Sequence, residues 1–132
     1  MADLISFIKN EFDANWNIDN LEAVIERFAE DAVVQTVPPL PGTPDQFVGK
    51  AQVRGFLQML MGGFHVDSKD FRQQGDRVTW FATVTSKSIR AMGVDALDAN
   101  CEAVVQNGKC KLFVVTFTQE TLSRLTMAAN QA

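Results

Sequence analysis

The sequence predicts an α+β fold in which helices come first and antiparallel strands follow. In the first part of the 132-residue chain, apolar residues recur at helical spacing. The second half contains "GDRVTWFATVTS", a stretch rich in β-branched and aromatic residues that starts at a Gly-Asp turn. Asn107-Gly108 then separates two apolar arms, as in a two-residue β-hairpin loop. This order is typical of an α+β fold, and the length fits a single domain over residues 1–132.

Three helices are predicted from the apolar stripes in the first half of the chain. The stripes are Leu4, Ile5, Ile8, Phe12 and Trp16; then Leu21, Val24, Ile25 and Phe28; then Val53, Phe56, Leu57 and Leu60. Residues spaced three and four apart share one face of a helix, so each stripe predicts a buried face. Asp19 is the predicted N-cap of the second helix, because Glu22 follows it at capping-box spacing.

The composition argues against several classes of protein. The formal net charge is −4 and the chain has no run of Lys and Arg, so we expect no nucleic-acid partner and no anionic membrane surface. No apolar stretch approaches the ~20 residues of a transmembrane helix. Residues 1–12 carry acidic residues and a lysine within their apolar pattern, unlike a signal peptide. We therefore expect a cytoplasmic protein.

The two cysteines, Cys101 and Cys110, fall in the two arms of the hairpin. A two-residue loop pairs Gln106 with Lys109 and places Cys110 opposite Val105, so the cysteines do not face each other. We expect two buried free thiols. The chain contains one His and no CxxC motif, so we expect neither a metal site nor another cofactor.

Four stretches of the chain follow one another in a characteristic order. They are "WNIDNLEAVIERFAEDAVV", "FVGKAQVRGFL", "GDRVTW" and "VVQNGKCKLFVVTF", and together they span nearly the whole chain. In this order they resemble the SnoaL-like branch of the nuclear transport factor 2-like superfamily. The resemblance implies a cone-shaped, cystatin-like roll, in which a curved antiparallel sheet wraps around about three N-terminal helices and leaves a pocket at its open end.

The resemblance does not by itself imply one function. The superfamily includes ketosteroid isomerases, limonene-type epoxide hydrolases, polyketide cyclases and non-catalytic binding or transport proteins. Which of these functions applies must therefore be inferred from the residues of the site. The resemblance also implies frequent dimerisation through the outer face of the sheet.

The faces of the hairpin strands decide which residues reach the pocket. Because strand side chains alternate, the two-residue loop places Asn100 and Glu102 on the same face as Phe113 and Val115. In family members the pocket-facing positions lie at odd offsets after the hairpin glycine, which implies that this face lines the pocket. The other face carries no charge and then becomes the outer face. Alternatively, the uncharged face packs on the helices and the polar face is solvated.

The uncharged face is the expected homodimer surface, because an apolar patch of this size is rarely left in water. It comprises Cys101, Ala103, Val105, Leu112 and Val114. The residues expected at the ligand are Trp16, Thr36, Phe56, Met59, Trp80, Val104, Phe113, Val115 and Phe117. They indicate a mostly apolar pocket for an organic small molecule.

This chain lacks the catalytic residues of two enzyme classes that the resemblance brings into question. The base of the ketosteroid isomerases falls at Thr36, and the chain has no tyrosine to serve as their oxyanion donor. The Asp-Arg-Asp arrangement of the epoxide hydrolases is replaced by Phe81, Thr83 and Val115. That leaves Glu102 as the candidate acid/base.

Glu102 would have a raised pKa if it were buried among Trp80, Val104 and Phe113. It would then take a proton from a carbon next to a carbonyl, as in aldol-type cyclisation, with Asn100 binding the enolate oxygen. Alternatively, Glu102 pairs with a lysine at the solvated end of the hairpin. The sequence leaves open whether the protein is a cofactor-independent cyclase- or isomerase-type enzyme, a non-catalytic ligand-binding module or a protein-interaction module.

Overall fold

The computed structural model describes residues 4–37, 39, 44–60, 63–91 and 93–130. Helix α1 runs from Leu4–Phe7 through a π-helical stretch, Ile8–Asp13, to Ala14–Trp16; the later helices are α2 (Leu21–Glu26), α3 (Lys50–Leu60), α4 (Lys87–Ala91) and α5 (Gln119–Asn130). The strands are β1 (Phe28–Val37), β2 (Gln46–Val48), β3 (His65–Gln74), β4 (Arg77–Thr85), β5 (Leu97–Gln106) and β6 (Lys109–Phe117). No helix in these ranges is long and apolar enough to cross a membrane.

The strands form one six-stranded sheet in the order β2-β1-β6-β5-β4-β3. Neighbouring strands are antiparallel except β1 and β6, which pair in parallel. The predicted α+β fold is confirmed, with this one parallel pair inside a sheet expected to be antiparallel throughout. A parallel pair needs a long crossover connection in place of a hairpin, and the chain between β1 and β6 provides it.

The helices pack on the inner face of the sheet through the apolar stripes seen in the sequence. Ile8, Val24 and Val53 represent the three stripes and are fully buried. The ring of Phe12 stacks on Phe28, with 5.2 Å between the ring centroids. The three predicted helices therefore contribute to the core, and the sheet wraps around them.

Two details of the second helix were predicted wrongly. Its N-cap is Asn20, whose Oδ1 accepts from the N–H of Ala23, and not Asp19. Phe28 begins β1 instead of extending the helix.

A bulge in the β5–β6 hairpin sets which side chains face inward. Beside the Asn-Gly loop, Val105 pairs with Cys110, as predicted. The register then shifts by one residue, so that Val104 pairs with Leu112 and Lys111 is the extra residue. A one-residue shift turns every following side chain of β6 to the opposite face.

The bulge changes which residues of the two arms share a face. The inner face carries Ala99, Cys101 and Ala103 of β5 with Phe113, Val115 and Phe117 of β6, whereas the outer face carries Asn100, Glu102 and Val104 with Leu112, Val114 and Thr116. The expectation that Asn100 and Glu102 share a face with Phe113 is therefore wrong.

The expected outer surface is wrong in part for the same reason. Cys101, Ala103 and Val105 are buried in the core, whereas Leu112 and Val114 do lie on the outer face. Both cysteines are free and buried, as predicted.

The bulge has an energetic reason. Without it the carboxylate of Glu102 would face Phe113 inside the core, and burial of an unpaired carboxylate costs several kcal/mol. With it, the small Ala103 lies opposite the ring of Phe113. Glu102 instead lies outside, where its Oε1 accepts a hydrogen bond from Arg77 Nη1 at 2.8 Å.

Ala103→Asp and Val104→Asp form a matched test of this register. We expect Ala103→Asp to lower the free energy of unfolding by about 3 kcal/mol or more, because it places a carboxylate among apolar side chains. Val104→Asp should cost about 1 kcal/mol, because this side chain lies on the outer face. Urea denaturation followed by tryptophan fluorescence measures both changes. A larger effect at Val104 than at Ala103 would contradict the register.

Candidate functional site

A cavity of about 80 Å³ lies between the helices and the inner face of the sheet. The helices contribute Phe12, Asp13 and Trp16 from α1, Phe56 from α3 and Ile89 from α4; the strands and loops contribute Thr36, Phe64, Val66, Trp80, Ala82, Val84, Leu97, Ala99, Cys101, Phe113, Val115 and Phe117. Nearly all of this wall is apolar. Apart from the indole N–H groups of Trp16 and Trp80, its polar side chains are Asp13, Thr36 and the Cys101 thiol.

Most residues expected at the ligand lie in this wall. They are Trp16, Thr36, Phe56, Trp80, Phe113, Val115 and Phe117. Met59 does not, because its side chain is exposed on α3. Val104 does not either, because the bulge leaves it on the outer face of the sheet beside Leu112. For these two residues the expected position at the pocket is wrong.

Asn100 and Glu102 lie in a different place, a polar groove on the outer face. The groove also contains Asp70, Arg72 and Thr79. Phe81 and Val114 line the groove as well. Glu102 is nevertheless paired with Arg77 there, and it is not the unpaired carboxyl group in apolar surroundings that the catalytic role required. The expected position of Glu102 and Asn100 in the apolar pocket is therefore wrong, and the alternative of a charge pair is realised through an arginine of β4 instead of a hairpin lysine.

The carboxyl group in the cavity wall belongs to Asp13, which the sequence interpretation missed. Asp13 ends the π-helical stretch, where the N–H of Ala14 donates to the carbonyl of Lys9, five residues earlier. A π turn inserts one extra residue into a helix. As a result, Phe12, Asp13 and Trp16 all border the cavity, although a regular helix would turn adjacent residues well away from each other.

The surroundings of Asp13 raise its pKa from the ordinary value of 3.8 to about 6. Burial is the largest cause, because it disfavours the charged form. The nearby hydroxyl of Ser68 acts in the opposite direction, although no hydrogen bond of standard geometry joins that hydroxyl to a described group. The negative charge of Asp67 raises the pKa further, and Lys9 lowers it slightly.

The thiol of Cys101 is the other titratable group of the wall. Burial raises its pKa to about 12, and the charge of Asp13 adds to the effect. The thiol therefore stays protonated at neutral pH and is a poor nucleophile. Among the lining residues, Asp13 is the group that changes its charge near neutral pH.

Thr36 is the remaining polar residue of the wall. Its Oγ1 is buried and forms no hydrogen bond with any described group. An unsatisfied buried hydroxyl costs about 1–3 kcal/mol. A group of this kind in a cavity wall is available to a bound molecule.

One signal in the sequence could have identified Asp13. It stands directly after Phe12 and three residues before Trp16, so it borders the apolar stripe of α1. Residues three apart share one face of a regular helix, so the spacing to Trp16 already places Asp13 toward the cavity side of α1. No group of His, Cys, Asp and Glu that could hold a metal ion occurs among the described residues.

The fold is shared with other proteins of known sequence or structure. A family model described as a SnoaL-like domain matches residues 10–119. TerC, crystallised with polyporic acid, is similar with a TM-score of 0.72 and 23% identity over 93% of this chain and 97% of that chain. No curated protein matches the chain in sequence.

Two further solved structures are also similar. A nuclear transport factor 2-like protein of unknown function from Cytophaga hutchinsonii gives a TM-score of 0.68 at 14% identity, over 88% of this chain and 91% of that chain. A proposed ketosteroid isomerase from Kribbella flavida gives 0.65 at 17% identity, over 85% of this chain and 76% of that chain. At these identities the likenesses show the fold alone, and they confirm the fold that the sequence resemblance implied.

The raised pKa of Asp13 predicts a dependence of stability on pH. The folded state binds the proton of Asp13 more tightly than the unfolded state does. The protonated carboxyl group therefore contributes fully to the free energy of unfolding below pH 4, and this contribution is lost as pH rises through 6. We expect Asp13→Asn to be more stable than the wild type by about 1–3 kcal/mol at pH 8 and nearly equal to it at pH 4. Urea denaturation at both pH values measures the difference.

The control is Asp67→Asn, which removes the neighbouring charge but leaves the Asp13 carboxyl in place. In this variant the Asp13 pKa should fall, so that part of the stability lost at pH 8 returns. A difference between Asp13→Asn and wild type that does not change with pH would show that Asp13 titrates normally.

Proposed function

Because the chain belongs to the SnoaL-like domain family, we propose that its cavity binds an apolar organic small molecule and that Asp13 moves a proton on that molecule. The observation that carries this proposal is the carboxyl group of Asp13, which stands alone among the described residues of an apolar wall and has its pKa raised to about 6. A base with a pKa near the working pH is largely ionised and still strong enough to take a proton.

The proposed chemistry is a cofactor-independent reaction of the cyclase or isomerase type. The Asp13 carboxylate takes a proton from a carbon next to a carbonyl group. The electrons of the C–H bond form a C=C bond, and the carbonyl becomes an enolate. Return of the proton to another carbon completes an isomerisation. In a cyclisation, the enolate carbon forms a C–C bond to a second carbonyl of the same molecule. The π electrons of that carbonyl move to its oxygen, and the protonated Asp13 returns the proton to this oxygen.

The shape of the cavity favours a small, flat ligand. Rings of Trp16, Phe56, Trp80 and Phe113 stand in the wall and present apolar faces. An apolar cavity of about 150 Å³ holds benzene, so about 80 Å³ holds less than one ring unless side chains move. The TerC structure with polyporic acid supports a small organic molecule as the ligand of this fold.

Deuterium exchange on a small ketone tests the role of Asp13 without knowledge of the natural substrate. In D2O, wild-type protein should accelerate exchange of the α-hydrogens of cyclopentanone above the buffer rate, and NMR follows the loss of signal. The catalysed rate should rise with pH through about 6, because Asp13 must be ionised. Asp13→Asn should lower it by about 100-fold or more.

Glu102→Gln is the control for this experiment, because it changes a carboxyl group on the outer face. Its exchange rate should remain within about twofold of the wild type. An unchanged rate in Asp13→Asn, or a loss in Glu102→Gln, would contradict the proposed base.

The second candidate function is non-catalytic binding. It is favoured by the few polar groups in the wall. A developing enolate charge needs hydrogen-bond donors, and the described wall offers the Thr36 hydroxyl and the indole N–H groups of Trp16 and Trp80. The same experiment separates the two functions. A wild-type protein that binds cyclopentanone in the cavity but leaves its exchange at the buffer rate would be a binding protein.

The outer face of the sheet is the proposed homodimer surface. Its central strands carry Val104, Leu112 and Val114, which are half-buried in the monomer. These apolar side chains are neighbours on β5 and β6 at the border of the polar groove that contains Glu102, and a second copy would bury them. The two free thiols fit a cytoplasmic location, where cysteines stay reduced.

Val114→Lys tests this surface. We expect the wild type to be a dimer at micromolar concentration and Val114→Lys to be a monomer, because a dimer would bury the new charges near each other. Ser123→Lys adds the same charge on the exposed side of α5 and should remain dimeric. Sedimentation velocity measures the masses. A wild-type monomer, or a dimeric Val114→Lys variant, would exclude this interface.

A further inference from the structure

We propose that the hydroxyl group of Thr36 binds an oxygen atom of the ligand, so that the cavity selects neutral ring compounds with a carbonyl or hydroxyl group. This inference rests on the proposed function, because it takes the cavity as the ligand site. It adds a second polar contact to the ligand, on the opposite side of the cavity wall from Asp13. This contact defines the chemical class of the ligand.

The first step is the state of the Thr36 side chain. The residue is 2% exposed, and its hydroxyl has no partner among the described groups. Buried hydroxyl groups in proteins are nearly always hydrogen-bonded. Valine has the same branched shape and is equally suited to a strand. Packing therefore does not explain a threonine at this position, whereas a partner that enters the cavity does.

The second step is the position of Thr36 relative to Asp13. Thr36 lies on β1 beside Val115 of β6, its partner in the parallel ladder. The charge of Asp13 acts on the thiol of Cys101 of β5, and Cys101 pairs with the same Val115 from the other side of β6. The wall formed by Phe113 and Val115 therefore has Asp13 near one side and Thr36 near the other. A ring that lies along this wall can approach both polar groups.

The third step concerns what a ligand must supply. A cavity of about 80 Å³ has room for water, and water can satisfy the hydroxyl when no ligand is bound. A purely apolar ligand that displaces this water leaves the hydroxyl without a partner, whereas a ligand oxygen replaces the lost hydrogen bond. A site of this kind discriminates against analogues that lack the polar group.

The fourth step concerns the charge of the ligand. None of the lining residues is Lys, Arg or His, and Asp13 is ionised in most molecules at pH 7.5. An anionic ligand would be repelled in these apolar surroundings. The Thr36 hydroxyl can donate to a carbonyl oxygen or accept from a hydroxyl group. Neutral ketones and phenols satisfy these conditions.

Phenol and toluene are matched probes, because they differ only in a hydroxyl group and a methyl group. Two-dimensional NMR at pH 7.5 follows their binding through the indole signals of Trp16 and Trp80, which line the cavity. We expect Thr36→Val to weaken phenol binding about fivefold, the loss of one neutral hydrogen bond, and to leave toluene binding within twofold. Thr36→Ser keeps the hydroxyl group and should preserve the wild-type ratio of the two affinities.

The possible results distinguish a failure of the proposed Thr36 contact from a failure of the proposed ligand site. If toluene binds in the cavity but Thr36→Val does not change the affinity ratio, the ligand site stands and the role of Thr36 is excluded. If phenol binding falls in Asp13→Asn and not in Thr36→Val, the oxygen is bound by Asp13, which also overturns the inference. If neither probe shifts the indole signals of the wild type, both the ligand site and the role of Thr36 are rejected.

Discussion

The single extra residue in the β5–β6 hairpin determines what the cavity contains. Past the bulge at Lys111, the ring of Phe113 turns inward and meets three other rings: Phe12 at 5.9 Å, Phe28 at 6.2 Å and Trp80 at 5.6 Å between centroids. The neighbouring strand β1 also shifts its register against β6 in this region. The bulge is therefore part of the packing of three strands, and the aromatic wall of the cavity depends on it.

The protein illustrates how surroundings decide the chemistry of a carboxyl group. Glu102 lies on the outer face of the sheet and is paired with Arg77, so it has a structural partner. Asp13 lies in an apolar wall beside Asp67, and burial raises its pKa to about 6. Because a proton-transfer group needs a pKa near the working pH, the second position is the one suited to catalysis.

Asp13 and Thr36 both weaken the folded state and both face the cavity. An ionised carboxyl group in the wall lowers stability above pH 6, and an unsatisfied hydroxyl group is costly whenever the protein is folded. Groups of this kind are retained at sites where a ligand compensates for them. Their combination in one apolar cavity is the physical basis of the proposed function, and the remainder of the wall supplies shape and exclusion of water.

The sequence by itself determined the local elements of this protein. The three apolar stripes predicted the helices, Asn107-Gly108 predicted the tip of the hairpin, and the resemblance of four stretches implied the fold and the inward positions of Phe113 and Val115. The spacing of apolar residues predicts such elements because it depends on the type and the buried face of a single helix or strand. Only the tertiary structure decided the faces of β5 and the surroundings of Asp13. A bulge and a π turn each add one residue to an element. The bulge keeps Glu102 outside the core, and the π-helical stretch lies where α1 borders the cavity, so both depend on packing between elements.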